Sequence, residues 1–315
     1  MKTLFTFLML TWITGIHAQN KLNVFRIVDS DTKLPIPSVS VSIIRAKLAI
    51  NTENDGILSI PGDLSTMQDT IIFAAQNYRV FKFPLRKLVG QDSIQMVSVA
   101  FSAPPKQPVP KQDTLLNDFD SSDIEYYAGI NANAASFDWL QLAQRFDTPK
   151  IGGVLKNVSI YRLVFTLNYE RQMNYTGIEY TKFRIRIYGL DSLTHGPGRD
   201  LCAKVIEAKS NDGRRIKIDL TDFNIIIPDP EFFVAVEWIR DFHNMGYVIR
   251  NNADGLTREK VINYRPAIGI SPVKTNNLNI WGMDLRRVWL PYSYFSPDFT
   301  DLAIKATVSV VYPDP

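Results

Sequence analysis

TKFRIRIYGLDSLTHGPGRDLCAKVIEAKSNDGRRIKIDLTDFNIIIPDPEFFVAVEWIR, residues 181–240, is the stretch that decides the fold class. Phe183, Ile185 and Ile187 alternate with Arg184, Arg186 and Tyr188, the period of a strand that turns one face to a core. After the polar turn at Gly196-Pro197-Gly198 comes a second apolar-rich run, Leu201 to Ala208. Asn211-Asp212-Gly213 reads as a hairpin turn. Ile216, Ile218 and Leu220 then alternate with Lys217 and Asp219, Pro228 stops the run Ile225–Ile227, and Phe232–Trp238 is apolar enough for a central strand. Short runs punctuated by Gly, Pro, Asn and Asp predict an antiparallel β-sandwich.

The chain has 315 residues, 45% hydrophobic and 21% charged, with a net charge of +3. Such a chain can bury a sizeable core, and its length admits two domains. Basic and acidic residues are interspersed, so no single-sign field favours nucleic acid or an anionic membrane. MKTLFTFLMLTWITGIHAQN opens the sequence, with Lys2 ahead of the apolar run Leu4–Ile16 and Ala18 before Gln19. This predicts a signal peptide over residues 1–18 and an exported protein, periplasmic, outer-membrane-associated or extracellular. No later stretch reaches the roughly 20 apolar residues of a membrane helix. Cys202 is the only cysteine, so no internal disulfide forms, and it is expected to be a buried apolar residue of the strand Leu201–Ala208.

The first domain is expected over residues 19–101. Val24, Ile27 and Val28 open a strand, Val39, Val41 and Ile43 alternate with serines in the next, and Asp55-Gly56 tips a turn before Ile57–Ile60. Further strands are expected at Thr70–Ala74, Tyr78–Phe83 and Ser93–Val99. Four prolines in SAPPKQPVPKQDTLLND, residues 102–118, predict an extended linker. The larger domain then runs over 119–315. In it Phe137–Phe146, with Phe137, Leu140, Ala143 and Gln144 at helical spacing, fits a short helix or a strand edge, and Val158–Tyr169 a long strand. Strands follow at Tyr247–Ile249, Ala267–Ile270, Leu278–Trp289 and Leu302–Val311. About ten strands with short turns predict a larger antiparallel sandwich of jelly-roll type.

Within the first domain, Val28-Asp29, Leu34-Pro35-Ile36-Pro37 with Val39 and Val41, Thr52 with Asp55-Gly56, and Ile71-Ile72-Phe73 leading to Tyr78 resemble the carboxypeptidase-regulatory-like domain. That resemblance implies a prealbumin-like β-sandwich of a kind found in exported proteins of Bacteroidetes-type bacteria. Phe25, Lys33 and Asn77 depart from it, each standing where glycine is usual. The second half is similar to sandwich domains found beside that module, for which the resemblance implies no activity.

For chemistry, the sequence offers no H-E-x-x-H spacing, no G-x-S-x-G elbow and no phosphate-binding loop. No catalytic residue, cofactor or metal is therefore expected. His195 and His243 read as surface loop residues. Asn-rich turns at 251–252 and 276–277 lack the carboxylates of a calcium site. Asn157-Val158-Ser159 and Asn174-Tyr175-Thr176 match the glycosylation acceptor pattern, which matters only in a eukaryotic secretory pathway. On strict alternation Glu237 shares a face with Phe233 and Ala235. Its expected role is an ion pair with Arg184 or Arg186 of a neighbouring strand; the competing reading is a buried acid of a hydrolase with an Asp partner. Trp238, Trp281, Trp289, Tyr292 and Tyr294 are the ligand-binding candidates, the last four weighted most, as flat aromatic faces late in the chain, with core packing as the competing role for each. The expected function is a non-catalytic binding module for glycan or an envelope protein, with a purely structural envelope component as a further alternative.

Overall fold

The computed structural model describes residues 22–64, 67–102, 112–131, 138–148, 153–164, 180–210, 213–241, 243–251 and 258–310. The predicted signal peptide, the proline-rich stretch from 103 to 111, and Asn174-Tyr175-Thr176 lie outside them. The described residues are all-β, with helix confined to single short turns.

The N-terminal sandwich is built from β1 (Leu22–Asp29), β2 (Ser40–Ile43), β3 (Leu48–Asn51), β4 (Ile57–Pro61), β5 (Thr70–Ala74), β6 (Phe81–Pro84) and β7 (Ser93–Met96). One sheet has the order β4-β1-β7 and the other β3-β2-β5-β6. Phe25, Ile27, Val39, Val41, Ile43, Leu58, Ile60, Ile71 and Phe73 fill the space between them. The alternating serines of β2 face away from this core, as period 2 requires. Lys33 and Asn77 have φ of 60° and 65°, left-handed values that glycine adopts without cost.

The C-terminal sandwich comprises β8 (Gln112–Leu116), β9 (Tyr127–Asn131), β10 (Trp139–Asp147), β11 (Gly153–Tyr161), β12 (Thr181–Leu190), β13 (Pro197–Asp200), β14 (Ile206–Ser210), β15 (Arg215–Asp219), β16 (Ile225–Ile227), β17 (Glu231–Trp238), β18 (Met245–Asn251), β19 (Arg258–Gly269), β20 (Ile280–Asp284), β21 (Trp289–Pro291) and β22 (Ile304–Val310). The first large sheet runs β13-β12-β17-β10-β20-β21, with β14 also on β12. The second runs β15-β11-β22-β8, with β16 also on β11. Connections cross repeatedly between the two, in the jelly-roll manner. Their inner faces meet through Phe183, Ile185, Ile187, Phe232, Val234 and Val236 on one side and Leu155, Val158, Ile160, Ile304, Ala306 and Val308 on the other. Trp238 closes one end, its Nε1 donating to the Pro266 carbonyl at 2.8 Å.

Several expectations are corrected. Residues 139–147 form neither a helix nor an edge: β10 lies between β17 and β20. The alternation was masked because Gln144 points inward, where its amide donates to Asp301 and its carbonyl accepts from the Leu302 amide. Leu201 and Cys202 are buried, but in the loop before β14, not in a strand. The Asn-Asp-Gly turn, whose first two residues lie outside the description, joins no hairpin. β14 belongs to one sheet and β15 to the other. Gln112–Leu116, counted with the linker, is a strand on β22. Leu278–Trp289 is split by a turn into β20 and β21.

The largest difference concerns the second face of β12. Arg184 and Tyr188 are as buried as the core residues between them. The alternation separates two buried environments, because the N-terminal sandwich covers the outer face of the first large sheet. Ser42 donates to the Leu285 carbonyl at 2.9 Å, and Gln76 to the Cys202 carbonyl at 2.7 Å. Asn77 donates to the Ala203 carbonyl at 2.7 Å, and the Arg240 amide to Asn51 at 2.9 Å. Ala49 packs against Leu140, Met283, Leu285 and Trp289.

Candidate functional site

Strand register lays a row of side chains across that covered face. Arg184 stands opposite Glu237, Glu237 opposite Gln141, Gln141 opposite Met283, and Met283 opposite Trp289. The next row places Arg186, Ala235, Ala143 and Trp281 side by side. One half of the face is ionic and the other aromatic.

In the ionic half, Arg186 Nη1 lies 3.4 Å from Glu237 Oε2 and Nη2 lies 2.5 Å from Asp200 Oδ2. Arg184 is 4.0 Å from the same Glu237 oxygen. Glu237 is 4% exposed. Burial pushes its carboxyl up, but Arg186, then Arg184 and Arg287, outweigh that push and hold it below the ordinary glutamate range. Burial dominates at Asp200 and raises its pKa despite Arg186. Tyr188, whose hydroxyl donates to Gln141 at 3.0 Å, is pushed up to about 12 by burial. The expected pairing of Glu237 with β12 arginines is present. Sequence did not single out Asp200 and Arg287, because the first ends the short strand β13, the second belongs to a turn, and each reaches Arg186 and Glu237 only through the fold.

A cleft of about 300 Å³ opens where the N-terminal sandwich meets this face. Tyr78, Asn77 and Val80 line one wall; Arg186, Glu237 and Arg287 line the other.

Of the aromatic candidates, Trp238 is buried at one end of the core, and the other four occupy three settings. Trp281 and Trp289, both half-buried, pack on one apolar patch with Tyr188 and Phe233. Trp289 meets the Tyr188 ring edge-on, the centroids 5.4 Å apart. Gly196 lies flat on Trp281, where a Cβ would approach Cζ3 to 2.7 Å. Tyr292 is buried in the sandwich core, edge-on to Trp139. Tyr294 is 75% exposed beside Phe295. His195 and His243 are exposed in loops. Among the described residues, no three His, Cys, Asp or Glu side chains are placed to hold a metal. No described helix is long and apolar enough to cross a membrane.

No family model matches the chain, and no curated protein is similar to it. Among solved structures, it is similar to the cysteine protease and lectin-like domains of Cwp84, a surface layer associated protein of Clostridium difficile. The two are 12% identical, with a TM-score of 0.35, over 91% of this chain and 63% of that one. It is also similar to the VP2 subviral particle of infectious bursal disease virus, 6% identical with a TM-score of 0.21, over 92% of this chain and 60% of that one. The chain thus spans less than two thirds of either, and likenesses of this size carry no functional argument.

Proposed function

We propose that the chain is an exported, non-catalytic binding protein of the cell envelope whose ligand is a glycan. The observation that carries this reading is the placement of Trp281 and Trp289 on one patch, half-exposed and continuous through Tyr188 with a polar cleft. Sugar sites combine flat apolar rings with a few fixed polar groups, and this face offers both. Export is supported by residues 1–18. A glycan array probed with the mature chain tests the reading, followed by titration of any hit. Trp289→Ala is expected to weaken binding about tenfold, in line with the loss of an aromatic contact of about 1.4 kcal/mol. An array with no hit sinks the proposal.

A second reading is favoured by one observation. Asp200 and Glu237 share Arg186 in the cleft, and their environments move their acidities in opposite directions, as in hydrolases that divide acid and base work between two carboxyls. Both carboxylates are engaged by arginine, which supports the non-catalytic reading. Turnover of a polysaccharide that disappears in both Glu237→Gln and Asp200→Asn would establish the second reading instead.

A further inference from the structure

Arg287 is an unusual residue for its place. It sits in the tight turn joining β20 to β21, with φ of 65°, a conformation that costs a side-chain-bearing residue roughly 1 kcal/mol and that glycine or asparagine normally fills. Its guanidinium is nevertheless carried under the N-terminal sandwich. Among the described residues its only hydrogen bonds run from Nη2 to the Ser40 hydroxyl at 2.7 Å and carbonyl at 3.2 Å. Its buried Nε has no partner, and neither has Nε of Arg184. Three arginines, Arg184, Arg186 and Arg287, face two carboxylates, Glu237 and Asp200, on this face. Both carboxylates contact Arg186; among the described residues Arg287 reaches neither within 4.0 Å, and Glu237 acts on it only at longer range. Burial lowers its pKa to about 10, outweighing the attraction of Glu237. Strain, a buried Nε with no partner and a charge held in no close ion pair among the described residues, at one residue lining an open cleft, are what a site prepared for an anion looks like.

We propose that the cleft receives the carboxylate of an acidic sugar, with Arg287 as the group that meets it. This rests on the glycan reading above and names the sugar class. An incoming carboxylate supplies the negative charge the face lacks and accepts from the guanidinium, an interaction stronger than a neutral hydrogen bond. The opposite wall, with Asn77 and Tyr78 beside Val80 and Ala74, gives a ring both polar and apolar neighbours. A volume of about 300 Å³ suits one sugar ring at the small end of ligand sites.

The test compares D-glucuronate with its neutral isostere D-glucuronamide, titrated into the mature chain at fixed ionic strength and followed by ligand-observed NMR. Glucuronate is expected to bind at least tenfold more tightly, the advantage vanishing in Arg287→Met and surviving in part in Arg287→Lys. Val80→Glu, at an exposed position on the rim, leaves the fold intact and should weaken glucuronate several-fold without affecting glucuronamide. Equal binding of acid and amide, or an advantage that persists in Arg287→Met and Val80→Glu, overturns the inference while leaving the glycan reading standing. N-acetylalanine binding as tightly as glucuronate overturns the sugar assignment. Binding of neither sugar, with an empty glycan array, removes both readings.

Discussion

Glu237 and Arg186 meet beneath the N-terminal sandwich, carboxylate to guanidinium at 3.4 Å, from adjacent rows set by the pairing of β17 with β12. Each is held by more than the other: Glu237 also faces Arg184, and Arg186 also binds Asp200. Glu237→Gln leaves three arginines against one carboxylate. Removing one partner of a buried pair strands the other, and because Arg186 retains Asp200 the loss is expected to be about 2–3 kcal/mol. Urea unfolding of the full chain at pH 7 checks it.

The same pair sets a pH dependence. A glutamate whose folded pKa is depressed contributes stability at pH above its unfolded value and loses it as pH falls through the folded value. The ordinary value is 4.5 and the folded one lies below it. The difference in urea midpoint between the wild type and Glu237→Gln is therefore expected to be constant from pH 7 to about pH 5 and to shrink steadily below pH 4.5. A difference that grew with acidification would show that the arginines do not hold the carboxylate.

The pairing of Glu237 with its β12 partners was legible in sequence because period-2 alternation assigns faces without knowledge of the fold. The same rule put Phe183, Ile185 and Ile187 inside. It could not say that the other face is covered too. Arg184 looks like a solvent-facing residue until the N-terminal sandwich is placed over it, and that placement depends on single contacts such as Gln76 with Cys202. Gln144 shows the opposite failure: a polar residue inside a strand hides the period, although Asp301 and the Leu302 amide satisfy it fully. Tyr292 and Tyr294 are two residues apart and look alike, yet one closes the core and the other stands in solvent. Asp200 ends a four-residue strand and Arg287 sits in a turn, stretches too short for periodicity to carry information.

Asn77 tests how the sandwiches are joined. It combines a left-handed φ of 65° with a hydrogen bond to the Ala203 carbonyl. Asn77→Ala loses both and is expected to cost about 2 kcal/mol, roughly 1 for the backbone and 1 for the bond. Asn77→Gly keeps the conformation and should cost less. Thermal unfolding of the two variants side by side decides it; a glycine variant less stable than the alanine variant would contradict the assignment.

Gly196 has a similar role at the aromatic patch. With a Cβ 2.7 Å from Trp281 Cζ3, Gly196→Ala must push the indole or the turn aside. Overpacking of this kind costs about 1–3 kcal/mol. The expected outcome is a shift in tryptophan emission together with weaker glycan binding, the two moving together because the displaced ring is the one assigned to the ligand.

Cys202 offers a direct readout of whether the sandwiches separate. It is 4% exposed, its thiol donates to the Lys204 carbonyl at 3.3 Å, and its own carbonyl is capped by Gln76 across the seam. Burial raises the thiol pKa, so little thiolate is present at pH 8. Modification by a small disulfide reagent is expected to be slow in the native protein and to require an opening event. Gln76→Ala removes the two bonds from its Nε2, to the Cys202 and Lys204 carbonyls, that only the joined state makes, together worth about 1 kcal/mol. If opening proceeds by separation of the sandwiches, labelling should accelerate about fivefold while the urea midpoint of the C-terminal sandwich stays in place. An unchanged rate would mean that Cys202 becomes accessible only when its own sandwich unfolds.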